Sequence, residues 1–161
     1  MTPEMRTPQP TSPEAAAAME TPGWLGPVGA GIAGGVAMGA LMAITMPETL
    51  STAIPALYGL EGSLAGVTAH LAHSAVFGVL FAAIVRYGNL GRYADDIGSS
   101  TALGVAYGVV LWVVAASIVM PAWLGAMGME TVVPTFDTMS LLGHVVYGAV
   151  LGALFPSMRG Y

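Results

Sequence analysis

The sequence predicts an all-α membrane protein: a four-transmembrane-helix bundle built from two tandem helical hairpins in parallel repeat. Three observations carry that prediction. Of the 161 residues, 55% are hydrophobic and only 8% are charged, against about 25% charged in a typical soluble domain. So few charges cannot coat a water-soluble protein of this size, and a mean hydropathy of +0.74 agrees. Second, the chain holds four apolar runs, each close to or above the roughly 20 helical residues that span about 30 Å of hydrocarbon. Third, its second half matches its first at an offset of 74 residues.

Taken in order, residues 1–22 are rich in Pro, Thr, Glu and Ala. Pro3, Pro8, Pro10, Pro13 and Pro22 break any regular pattern, which predicts a disordered cytoplasmic tail. A secretory signal would need a basic stretch followed directly by a short apolar core, whereas Arg6 stands alone here. The transmembrane domain is expected over residues 23–157, with helices at about 24–46, 64–85, 97–120 and 138–155, and residues 158–161 as a cytoplasmic C-terminus. The first and third runs carry no charge. The second carries two histidines but no Asp, Glu, Lys or Arg. A β-barrel is not predicted, because the runs lack the in/out alternation of barrel strands.

Orientation follows from the arginines, the only basic residues apart from histidine. Arg6 precedes the first run, Arg86 and Arg92 lie between the second and third, and Arg159 follows the fourth. Four crossings put these three regions on one side. The loops 47–63 and 121–137 hold no basic residue and carry Glu48, Glu61, Glu130 and Asp137 instead. The positive-inside rule therefore places both termini and the 86–96 loop in the cytoplasm of a multi-pass plasma-membrane protein. The two outer loops are apolar enough, with Leu50, Ile54, Leu57, Trp123, Leu124 and Phe136, to predict short interfacial helices or packed caps.

The 74-residue offset aligns Met46-Pro47 with Met120-Pro121, His70 with His144, Gly78 with Gly152 and Phe81 with Phe155. Each half is then a helix, an outer loop opened by Met-Pro, and a returning helix with a His near its outer end. Both halves cross twice, so the repeat is parallel, about an axis along the membrane normal. Glycines four apart (Gly31, Gly35, Gly39; Gly104, Gly108; Gly148, Gly152) form stripes that let helix backbones approach closely, within the bundle or between protomers.

Ionisable groups inside a membrane usually face the bundle interior. His70, His73 and His144 are expected at similar depth near the outer surface, with Asp137 two turns above His144 on the same face and Glu48 on the same side. Such a set could bind a divalent metal such as zinc through His70, His73, His144 and Asp137. Two histidines from facing helices could ligate a haem iron, and His with Asp could relay protons. The commonest role of a membrane histidine is an interhelical hydrogen bond. The methionines read as adaptable packing. Asp95 and Asp96 are placed to favour the N-terminus of the third helix.

Several classes are excluded. There is no cysteine, so no disulfide or thiolate site can form. A net charge of −5 without any lysine supplies no patch for nucleic acid. No His-Glu-x-x-His, Gly-x-Ser-x-Gly or phosphate-binding glycine loop is present, and no reaction is assigned.

The stretches MPETLSTAIPALYGLEGSLAGVTAHLAHSAVFGVLFAAIV and SLLGHVVYGAVLGALFP resemble small four-helix integral membrane proteins common in haloarchaea. Such proteins are sometimes labelled histidine kinases. This chain has neither ATP-binding glycine boxes nor room for a catalytic domain. Three functions remain open. The first is a structural or accessory subunit packing through its glycine faces, with the lipid bilayer and a second copy or a larger membrane complex as partners. The second is a metal- or haem-binding protein using the outer histidines. The third is a small transporter or channel acting as an oligomer.

Overall fold

The computed structural model describes residues 23–158. The predicted tail 1–22 and residues 159–161 lie outside the described residues. Among those described, the chain is helical and contains no strand. Four helices are long and apolar enough to cross a membrane: α1 (Leu25–Thr45), α2 (Ser63–Tyr87), α3 (Ile97–Ala126) and α4 (Thr138–Met158). The α1–α2 and α3–α4 loops meet at one end of the bundle, the hairpin end, where residues of both line common hollows. The α2–α3 connection lies at the opposite, terminal end.

Packing runs in the order α2, α1, α4, α3, with α1 and α4 at the centre. The glycines explain why the helices can approach so closely. A Cβ on Gly104 in α3 would lie 2.8 Å from Gly152 Cα in α4 and would collide with the Gly148 carbonyl. A Cβ on Gly31 in α1 would lie 2.9 Å from Gly78 Cα in α2, and one on Gly34 would lie 2.8 Å from the Tyr147 carbonyl oxygen. The glycine stripes are therefore covered by the chain's own helices.

By contrast, α2 and α3 stand further apart and meet through Tyr107. Its hydroxyl donates to the Phe77 carbonyl at 2.9 Å, and its ring lies 5.3 Å from that of Phe81. Phe81 in turn meets Phe155 edge-on at 5.0 Å. These buried rings pack in the bundle interior, on the terminal side of the histidines. The outward faces remain apolar: Ile44 and Leu64 are 82% and 84% exposed.

The two Met-Pro steps have different outcomes. At the first, α1 stops at Thr45 and Met46 leaves the helical region (φ −143°, ψ 56°). This is the usual effect of a following proline, whose Cδ crowds the preceding residue. The chain then winds a π-helical segment, Thr49–Ala53, and a short helix, Ile54–Ala56, which bury Leu50 and Ile54 as a cap. At the second step the predicted stop at residue 120 is overturned, because α3 continues through Pro121 to Ala126. The reason lies just upstream, where Trp112–Val119 is π-helical and the Met120 N–H reaches back to the Ala115 carbonyl. The wider turn makes room for the proline ring. The Ser117 carbonyl, which loses its ordinary donor because residue 121 has no N–H, accepts the Thr135 N–H at 2.9 Å. The second loop consequently starts at Met127, and most of its apolar residues, among them Val132, Val133 and Phe136, are exposed instead of forming a packed cap.

Carboxylates cap two of the four long helices. Asp96 accepts from the Ser99 N–H at 3.0 Å at the start of α3, and Asp137 accepts from the Ser140 N–H at 2.6 Å at the start of α4. Each such cap contributes about 1 kcal/mol.

Candidate functional site

Because α1 packs on α4 while α2 and α3 diverge, the hairpin end of the bundle encloses a cavity of about 820 Å³ lined by all four helices. All three histidines of the chain line it, as do Asp137 and Glu48. His70 lies seven residues into α2 and His144 six residues into α4, so both sit about 10 Å from their helix starts at about 1.5 Å per residue.

Each histidine is positioned differently. His70 is buried, and its Nε2–H donates to the Gly35 carbonyl in α1 at 2.9 Å. Gly39 lies alongside the His70 ring, and the missing side chain at Gly35 makes room for Ser74, with which a Cβ there would collide. One turn along α2, the Ser74 hydroxyl donates to the His70 carbonyl at 2.7 Å, and the Tyr147 hydroxyl from α4 donates to the Ser74 carbonyl at 2.9 Å. This relay ties α1, α2 and α4 together under the cavity. His73 is half-buried and hydrogen-bonds through Nε2 to the Tyr58 hydroxyl, which reaches down from the first loop. Its ring also lies 6.3 Å from Phe77. His144 is half-buried, and its Nδ1–H donates to the Ser140 carbonyl one turn back at 2.7 Å.

These bonds fix tautomers, because a carbonyl can only accept. His70 carries its proton on Nε2 and His144 on Nδ1, leaving His70 Nδ1 and His144 Nε2 as lone-pair nitrogens. Asp137 is committed otherwise: one carboxylate oxygen caps α4, and its carbonyl accepts from Trp112 Nε1 at 3.1 Å. The sequence-predicted set His70, His73, His144 and Asp137 thus shares one cavity. Among the described residues, however, no three His, Asp or Glu side chains gather closely enough to hold a metal ion.

Sequence reasoning did not single out the hydrogen-bonding partners in this lining. Tyr58, Ser74 and Tyr147 carry no motif, and their roles depend on contacts between distant segments. Met38, Met42, Met46 and Met120 also line the cavity. Met38 and Met42 stand four apart on α1, with Met46 four further on just past its end, a spacing that reads equally as core. The π-helical stretch of α3 contributes Ala115, Ala116 and Val119 to the wall, and π-helical turns are frequent at functional sites. Below the cavity, the rings of Phe81, Tyr107 and Phe155 close the bundle centre.

No protein-family model, no characterised protein and no solved structure matches the chain.

Proposed function

We propose that the chain is a multi-pass integral membrane protein, with its termini in the cytoplasm, that binds a small ligand in the cavity at its outer end. The observation that carries this reading is the convergence of every histidine in the chain on one 820 Å³ hollow. Four long helices with apolar outer faces support insertion. Arg86 and Arg92 at the terminal end, against Glu48, Glu61, Glu130 and Asp137 at the hairpin end, support the orientation.

Placement of the glycines weakens the accessory-subunit alternative, because the stripes that would dock a partner are occupied inside the bundle. The aromatic layer beneath the cavity favours a closed-ended binding site over a channel. A tandem parallel repeat is supported by the 74-residue partners His70 and His144, which share the cavity, and by Phe81 and Phe155, which meet edge-on. A two-fold relation between hairpins would pack α2 on α3 as α1 packs on α4. The cavity lies where that symmetry is broken.

Thermal unfolding of the detergent-purified protein, with Zn(II), Cu(I), haem or a short-chain lipid added singly, tests the binding reading. A ligand at 100-fold excess over its Kd stabilises by about 2.7 kcal/mol. At least one addition should raise the midpoint of the wild type and leave His144→Gln unshifted. No shift with any of the four would sink the reading.

A further inference from the structure

We infer that the cavity ligand is a soft monovalent metal ion, Cu(I), held by the thioethers of Met38 and Met42 together with the imidazoles of His70 and His144. The inference rests on the ligand-binding reading above and names the ligand class. Four of the chain's methionines, Met38, Met42, Met46 and Met120, face one cavity with the histidines. Met38 and Met42 are buried on the α1 stripe that flanks Gly39, the residue against which the His70 ring rests. On its other side Met38 reaches α4: its Sδ lies 3.9 Å from where a Cβ on Gly143 would stand, the residue preceding His144. Met38 and Met42 therefore lie on the α1 surface that borders both the His70 ring and the α4 turn carrying His144, and they share one hollow with both imidazoles.

Three chemical arguments select the ion. Without cysteine, thioethers are the soft donors the chain possesses, and thioether sulfur selects Cu(I) over harder divalent ions. Carboxylates suit harder cations, but among the described residues no three His, Asp or Glu side chains come close enough to hold an ion, and Asp137 spends an oxygen on capping α4. Burial in an apolar wall penalises charge steeply, growing as the square of the ionic charge, so a monovalent ion among neutral ligands costs far less to enclose than a divalent one. Glu48 and Asp137 at the cavity line supply negative potential that draws cations inward.

The test titrates the full-length protein in detergent, anaerobically, with Cu(I) delivered from a bicinchoninate complex, and records X-ray absorption of the loaded sample. The expected result is uptake of a single Cu(I) with both sulfur and nitrogen neighbours. The near-isosteric variant Met38→Leu/Met42→Leu should weaken uptake by more than about tenfold. Should that variant fail to fold, the wild-type absorption spectrum still decides, since nitrogen and oxygen neighbours alone would overturn the assignment. No uptake, or equal uptake by the folded variant, would overturn it too. If copper fails while haem or lipid still shifts the unfolding midpoint, the cavity reading survives and the methionines serve as packing around another ligand.

Discussion

Replacing Gly104 with valine is expected to abolish the folded bundle, or to lower its unfolding midpoint more than any substitution at an exposed glycine. The first added carbon would meet Gly152 Cα at 2.8 Å and Gly152 N at 2.9 Å and would collide with the Gly148 carbonyl. These are all backbone atoms of α4, so no side chain can rotate aside and the helices must separate. Overpacking of this kind costs about 1–3 kcal/mol, and more where backbone must move. Separation is doubly unfavourable in a membrane, where close van der Waals packing replaces the hydrophobic drive for helix association. Gly91→Ala is the control, because nothing stands within 4 Å of its added carbon. Equal midpoints for the two variants, measured in the same detergent, would show that the α3–α4 crossing is not the close contact described.

Tyr147→Ala is expected to be the most damaging truncation at the candidate site. Tyr147 is 2% exposed, packs against Gly34 of α1 and ties α4 to α2 through Ser74. Deleting a buried aromatic ring costs about 3–5 kcal/mol through lost transfer energy and the void left behind. Tyr147→Phe keeps the ring and removes the hydroxyl, at a cost of about 1 kcal/mol. Chemical unfolding should therefore rank wild type, Phe and Ala in falling order, with the larger step between Phe and Ala. Similar stability for Phe and Ala would mean that the ring does not hold the cavity floor.

Much of the fold was legible because it follows from local, one-dimensional quantities. Apolar runs of spanning length located all four helices. The expected role of acidic residues at the start of α3 is realised in the Asp96 cap. The step that misled was Met120-Pro121, which reads the same as Met46-Pro47. The difference between them depends on the π-helical winding of residues 112–119 and on a backbone bond from Thr135, neither of which has a periodic signature. At the site, the histidines were found because an ionisable residue in an apolar run stands out. Tyr58 was not, because its partnership with His73 depends on how the first loop folds back over α2. Asp137 was read as a metal ligand from its helical register with His144, yet its position before α4 makes it a cap first. The methionine stripe was visible, but a four-residue spacing is also what any buried helix face shows, and only the cavity separates the two meanings.

Cysteine mapping tests the central claim of an outward-opening cavity in a four-crossing bundle most directly. The chain has no cysteine, so Glu61→Cys, Ala116→Cys and Asp95→Cys each introduce a single thiol for a membrane-impermeant maleimide applied to intact cells. Glu61→Cys in the first loop and Ala116→Cys in the cavity wall should react from outside, and Asp95→Cys only after the membrane is opened. Labelling of Glu61→Cys and Asp95→Cys from the same side would contradict the four crossings, and an Ala116→Cys thiol closed to the outside would contradict the cavity.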